Sequence, residues 1–504
     1  MGALEWSVEG SVAAKDPPRG LARRVWDRDP TAWAPGEDDP AERLGWLDLP
    51  TTMPPGLDDL GSFAGDVSAG TDHVVLLGMG GSSLAPEMFS EIYGGGGGGR
   101  EGRREHPDLV VLDSTHPAQI AAVTERIEPA RTLFVVSSKS GGTIETMSLY
   151  KYFRRLARPD RFVAVTDPGT SLDQLAQAEG FRSVFRNPPD IGGRYSALSL
   201  FGLVPAALIG VDLHALCASA AEGAEACRAD DASNPGLAIG AAMAEWVAAG
   251  RNKLTLRTGR SVASFGDWVE QLIAESTGKD GNGIVPVVGE PVLEAGYGPD
   301  RAFAHLSAAA TEAGTPSVSM SVDGSNLGAA LFVWEFATVI AGSLLGINAF
   351  DQPDVESAKR AAKEALRTGG GRSWPDDDPA ALFEGIAPRE LACLLAFAPL
   401  TRKTEAVMLA ARTKLVASSG VATSVGFGPR YLHSTGQLHK GGPGPVRALV
   451  ILDAPEMDLP IPDSEHSFGR LLAAQAAGDA DALESAGRAV GRTTWTSFEA
   501  WARL

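Results

Sequence analysis

Cysteine is scarce in this chain: three in 504 residues, Cys217, Cys227 and Cys393. Their spacing suits neither a metal site nor a disulfide framework. That excludes a disulfide-built secreted scaffold and points to a reducing compartment, the cytoplasm. Basic charge is short as well. Lys and Arg number 44 against 63 Asp and Glu, a formal net charge of −19. So acidic a chain argues against nucleic acid as a main partner, because phosphate backbones are met by Lys/Arg surfaces. An anionic small ligand remains open wherever one pocket is locally basic. The start, MGALEWSVEG, has no basic opening and no apolar core of the kind a signal peptide carries. Long apolar runs are few. The longest, 329–347, is interrupted by Glu335 and reads as a buried helix rather than a membrane span.

What the chain does have is alternation. Hydrophobic residues make up 44% and charged residues 21%, enough for a sizeable core, and the length implies more than one domain. Residues 1–60, rich in Pro, Asp and Trp, read as a segment wrapped over a domain. From His73 strands and helices alternate: HVVLLG, LAPEMFSEIY, LVVLD, PAQIAAVTERI, TLFVVSS, IETMSLYKYF, RFVAVT, SLDQLAQAEG, FRSVF. Gly94–Gly99, six glycines in a row, is a surface connector. Residues 215–235, small and polar, read as a linker. A second alternation follows, from KLTLRTG to VRALVILD, and includes the amphipathic helix DVESAKRAAKEALRTGG. The tail from Phe468 is Ala-rich and helical. The expected fold is α/β, with two doubly wound parallel-sheet subdomains covered by helices on both faces and a helical C-terminal tail. The implied segments are 1–60, 61–215, 230–465 and 466–504.

In such sheets ligands lie beyond the carboxyl ends of the strands, and two polar loops stand there. One is GMGGSS, with Gly80, Gly81 and Ser82. The other is SSKSGGT, with Ser138, Lys139, Ser140 and Thr143 at the start of a helix. Hydroxyls, free backbone N–H groups and a helix dipole together suit a phosphate, although Ser, Gly and Thr are also ordinary helix-capping residues. Other chemistry-bearing stretches are Gly192-Gly193-Arg194, AESTGK with Glu275, and GINAFDQPDVESAK with Gln352 and Lys359. Taken singly, Glu275 reads as a solvated carboxylate, Lys359 as the polar face of a helix, and Arg194 as a turn arginine. Spacing alone does not join them.

Together the stretches GMGGSSLAPEM, SSKSGGTIETM, GGRYS, AESTGK and GINAFDQPDVESAK resemble, in this order, the glucose-6-phosphate isomerase family. The later stretch GPRYLHSTGQLHKGGP, 428–443, is similar to the isomerase half of bifunctional transaldolase/phosphoglucose isomerases. No transaldolase half is recognised in these residues. The resemblance implies reversible aldose–ketose isomerisation of glucose 6-phosphate and fructose 6-phosphate through a cis-enediol(ate), with no cofactor and no metal. It places the sugar phosphate on Ser138, Lys139, Ser140 and Thr143, with Gly80, Gly81, Ser82 and Gly193 beside it. Glu275 becomes the base, Arg194 the group that steadies the developing charge, and Lys359 a helper of ring opening with Gln352 in the same site. It also implies a cytoplasmic homodimer with no nucleic-acid or membrane partner.

The family's ring-opening histidine is not where its pattern puts it. GEPVLEAGYGPDRAF occupies that place, with Arg301 near the expected position and His305 out of register. His433 and His439 are the candidates that remain; otherwise Lys359 and water open the ring. Thr277 stands where the family has Asn; that and the displaced histidine leave open a dual phosphoglucose/phosphomannose isomerase. The hydroxyl-rich loops alone also fit a non-catalytic sugar-phosphate sensor, a reading that Glu275, Arg194 and Lys359 together weigh against.

Overall fold

The computed structural model describes residues 2, 4–36, 38–94, 106–293, 297–308, 314–353, 366 and 374–503. The glycine run from Gly95 onward, Lys359 and, apart from Leu366, the helix expected at DVESAKRAAKEALRTGG lie outside the described residues. The fold is α/β, with parallel sheets flanked by helices, as the alternation implies. The described strands form three sheets rather than two. The second alternation divides, because its strands serve two separate cores.

The first strand, β1 (Trp6–Glu9), leaves the N-terminal segment to join a sheet far along the chain. Next come β2 (His73–Leu77), β3 (Asp108–Leu112), β4 (Thr132–Ser137), β5 (Phe162–Thr166) and β6 (Ser183–Arg186). They pair in parallel in the order β3-β2-β4-β5-β6. All six residues of β4 are buried, as a strand covered on both faces requires. Side chains alternate between two cores. Val74, Leu76, Leu133 and Val135 enter one, and Val75, Leu77, Phe134 and Val136 the other, which is the period of two of a strand. Strand order reverses between β2 and β4. Both polar loops emerge at that switch point, where such sheets hold ligands.

The second sheet uses β7 (Lys253–Thr258), β8 (Val285–Val288), β9 (Arg301–Leu306) and β10 (Ser317–Met320) in the order β1-β10-β9-β7-β8. β1 is antiparallel to β10 at its edge. The stretch expected as a 215–235 linker is instead mostly the helix Leu213–Ala226. Its small residues permit close packing: a Cβ on Gly328, of the neighbouring helix Leu327–Leu344, would stand 2.1 Å from Leu216 O. That second helix is buried from Leu327 to Gly342. It is the run that Glu335 interrupts, and it is a core helix here.

The third sheet holds β11 (Leu391–Phe397), β12 (Ala422–Phe427), β13 (Val446–Leu452) and β14 (Ala489–Thr494), all parallel, in the order β12-β11-β13-β14. The tail is therefore not wholly helical, since β14 follows the helix Phe468–Ser485 and the helix Trp495–Arg503 closes the described chain. Phe468 and Leu471 share a core with Val136 and Leu149. That packing fastens the C-terminal helix to the first sheet, beside its switch point.

Candidate active site

Glycine lets the loop after β2 approach two other turns. Gly80 has φ +56°, a left-handed conformation that costs glycine little. A Cβ there would stand 2.4 Å from His433 O, and one on Gly81 would stand 1.9 Å from Gly193 O. The loop therefore lies against both the turn that carries Arg194 and the turn that carries His433. Ser82 is half-buried on the same loop.

After β4, Ser138 is buried and its Oγ lies 2.9 Å from Thr143 Oγ1. Gly141 turns the chain at φ +70°. Thr143 is the N-cap residue of the helix Ile144–Phe153, yet its side chain makes no capping bond. The paired hydroxyls are thus presented with the first-turn N–H groups of that helix, which makes a cradle for an anion. Ser140 is exposed, its Oγ accepting from Gly142 N at 3.4 Å. Lys139 ion-pairs with Asp167 and donates to Pro189 O at 2.8 Å, so its charge fixes the loop to the end of β5.

Glu275 sits in the last turn of the helix Ala263–Thr277, 4% exposed. Arg194 Nε stands 3.6 Å from its Oε2. Gln271, one turn earlier on the same face, and Gln352 each donate to that oxygen at 3.4 Å. Burial pushes the Glu275 carboxyl up to about 7, against the pull of Arg194, His433 and Lys279. Arg194 is itself buried and donates to Ala349 O at 3.4 Å and Phe350 O at 3.2 Å. Its Nε has no hydrogen-bond partner among the described residues. A carboxylate that titrates near neutrality, next to an unspent guanidinium N–H, can take a carbon-bound proton while charge gathers beside it.

The 348–352 turn ties these groups together. Lys279 Nζ donates to Asn348 O at 2.7 Å, Asp351 O at 2.6 Å and Asp351 Oδ1 at 2.9 Å. The same turn supplies the carbonyls that hold Arg194 and the side chain of Gln352. Thr277 Oγ1 is occupied by Ile273 O at 2.9 Å and Ile284 N at 3.0 Å, so this hydroxyl serves the helix end.

The two candidate histidines part company. His433 lies beside Glu275, its carbonyl accepting from Gln271 Nε2 at 2.7 Å. Its Nε2 is 3.0 Å from Glu145 Oε1, in the first turn of the helix that begins at the anion cradle. His439 is fully buried under the third sheet, its Nε2 3.1 Å from Ser424 Oγ. Burial pushes its imidazole down to about 3. Arg301 is in β9, bound to Glu290 at 2.9 and 3.1 Å, and His305 stacks on Phe303 in the same strand. The structure thus brings together Gly80, Gly81, Ser82, Ser138, Thr143, Gly193, Arg194, Glu275, Gln352 and His433, and leaves His439 apart.

Sequence reasoning missed Gln271, Glu145 and Lys279. The first was legible as an amide at i−4 from Glu275, and the second as the first-turn acid after the hydroxyl loop. Lys279 ends the AESTGK stretch itself. A cavity of about 610 Å³ opens beside the cradle, lined in part by Ser140, Thr143, Glu145, His433 and Gln475. Among the described residues no three His, Cys, Asp or Glu side chains are grouped to hold a metal ion.

Residues 58–280 match the family model described as phosphoglucose isomerase. A glucose-6-phosphate isomerase of Rubrobacter xylanophilus is 30% identical over 369 residues, 61% of this chain and 85% of that protein. A probable glucose-6-phosphate isomerase of Methanococcus maripaludis is 27% identical over 363 residues, 60% of this chain and 80% of that protein. Among solved structures, a hypothetical protein of Thermus thermophilus superposes with a TM-score of 0.58 at 24% identity, covering 69% of this chain and 94% of that one. A glucose-6-phosphate isomerase of Chlamydia trachomatis gives a TM-score of 0.53 at 19% identity, covering 74% and 82%. These last two speak for the fold.

Proposed function

Because the chain belongs to the phosphoglucose isomerase family, we propose that it interconverts glucose 6-phosphate and fructose 6-phosphate in the cleft between the anion cradle and Glu275. The observation that carries the reading is the buried Glu275 carboxyl facing an unspent Arg194 N–H, joined through Gln271 and His433 to the helix that starts at Thr143.

In this mechanism Ser138, Thr143 and the first-turn N–H groups anchor the phosphate, and Ser82 closes over it. Opening the ring breaks the C1–O5 bond and moves a proton from O1 to O5. His433, backed by Glu145, is placed to carry that proton. Lys359 keeps the helping role that the resemblance gives it. Glu275, ionised, then takes the C2 proton of the open aldose, and the electron pair moves into a C1–C2 double bond as O1 becomes anionic. The Arg194 N–H meets that charge. Such a fixed donor is typically worth about 2.7–4 kcal/mol of barrier, and arginine suits the place because it stays charged. Glu275 returns its proton to C1 as the C1–C2 double bond opens, the O2–H bond breaks to leave the C2 carbonyl, and that proton passes to the anionic O1, so that the ketose with its C1 hydroxyl results. The oxidation at C2 and the reduction at C1 balance within the sugar, so no redox cofactor enters.

We place the enzyme in the cytoplasm and expect a homodimer. A coupled assay on the purified protein tests the function. Turnover of fructose 6-phosphate that collapses in Glu275→Gln supports it; a Glu275→Gln variant near the wild-type rate refutes the assignment of the base.

A further inference from the structure

We infer that Gln475 and Thr115 are positioning residues of the ring-opening step, holding the Glu145–His433 pair in place through a single amide; the inference rests on the isomerase reading above. Gln475 comes from the C-terminal helix Phe468–Ser485, beyond the 58–280 stretch that the family model covers. It is 3% exposed, and both ends of its amide are used. Nε2 donates to Glu145 Oε1 at 2.7 Å, and Oε1 accepts from Thr115 Oγ1 at 2.9 Å. Thr115 is fully buried in the loop after β3. The amide therefore spans from the first sheet to the helix that carries Glu145.

Its polarity has a chemical consequence. With its carbonyl turned to Thr115, the amide meets Glu145 as a donor only. Glu145 Oε1 faces Gln475 Nε2 and His433 Nε2 together, and in the inferred arrangement it accepts from both, with the hydrogen on that ring nitrogen. The proton exchanged with the sugar is then handled at the other ring nitrogen, and the Glu145 oxygen that the imidazole bonds to is itself held by Gln475. Phe468 and Leu471, packed into the core behind β4, keep the helix and hence the amide from shifting. In this way the C-terminal part of the chain contributes to a site whose anion cradle and base lie in the family-matched part.

Glu275→Gln removes the base for the C2 proton but leaves ring opening, so that background isolates the step. The readout is α/β interconversion of glucose 6-phosphate by NMR exchange, above the spontaneous rate. Adding Gln475→Leu is expected to slow it on the order of 10-fold or more, within what a positioned acid–base group supplies. Thr115→Val is expected to slow it about 3-fold and to add almost nothing on top of Gln475→Leu, because both break one chain of bonds. Thr115→Ser keeps the hydroxyl and is expected to match its parent. Substrate affinity is expected to stay within about 2-fold, since the cradle is untouched. A folded Gln475→Leu or Thr115→Val variant that interconverts the anomers at the parent rate overturns the inference, as does a fully additive double variant. A wild-type protein that isomerises nothing sinks the isomerase reading instead.

Discussion

One helix, Ala263–Thr277, carries a buried carboxyl on one face and two half-buried carboxyls on another, and the two faces differ in what surrounds them. Glu275 looks toward Arg194, Gln271, Gln352 and His433. Asp267 and Glu270 look into a second cavity of about 800 Å³ at the meeting of the three sheets, with Glu87, Glu91, Arg412 and Arg430 among its walls. Burial raises all three, Asp267 to about 6, Glu270 to about 8 and Glu275 to about 7. A raised carboxyl is therefore no mark of catalysis by itself. Glu275 differs in having directed donors on its reactive oxygen, a guanidinium N–H beside it, and a path of contacts to the anion cradle. Glu270 has instead a neighbouring Asp267 that raises it further.

The sharpest way to break this comparison is to neutralise each side. Glu275→Gln should lower kcat by about 10³-fold or more, since general-base catalysis is removed, whereas Glu270→Gln should stay within about 2-fold in the same steady-state assay. Arg194→Lys comes next. It keeps a charge but loses the fork, and kcat should fall about 10²-fold with KM little changed, near the cost of removing one oxyanion donor. The histidines offer a parallel pair. His433→Ala should lower kcat about 10²-fold. His439→Ala should leave kcat of the folded protein within about 3-fold while lowering stability by about 1–3 kcal/mol in urea titration, because a fully buried, hydrogen-bonded ring is lost.

The smallest effects lie in pH. Glu275 works as the carboxylate, so log kcat/KM should climb with pH and level off above about 7, and Glu270→Gln should leave that limb in place. Stability should distinguish the pair the other way. Glu270 binds its proton more tightly folded than unfolded. Its contribution is therefore whole below the unfolded value near 4.5 and is lost as pH rises toward about 8. Glu270→Gln should accordingly gain on wild type by on the order of 1 kcal/mol or more at pH 8, and by little at pH 4, in thermal melts.

The first half of the fold was legible because its strands are continuous apolar runs closed by glycine loops. The second half was harder for particular reasons. RAFAHL, in β9, hides two polar residues, Arg301 and His305, that are buried inside the sheet. WSVE, in β1, is too short to announce a strand and pairs with β10 some 310 residues away (Trp6 with Met320). The 215–235 stretch looked like a linker because its residues are small, yet small residues are what lets its helix pack closely on its neighbour. In the site, Glu275, Arg194 and Gln352 were named from their own stretches and do converge. The choice between His433 and His439 was not legible. They stand six residues apart in one polar segment, and contacts from distant elements, Gly80 and Gln271 at the His433 carbonyl and Glu145 at its ring, hold one of them in the cleft. Gln475 carried no local signal, since its role comes from where a distant helix docks.

The central claim is that a carboxylate moves a proton between C2 and C1. Isomerising glucose 6-phosphate in D₂O and counting deuterium at C1 of the fructose 6-phosphate tests it most directly. The account predicts deuterium incorporation by the wild-type protein, because the proton resting on Glu275 exchanges with solvent, and none above background by Glu275→Gln. No deuterium at C1 even after many reversible turnovers would indicate a hydride shift, and deuterium incorporation by Glu275→Gln at the wild-type rate would indicate a different base; either would contradict it.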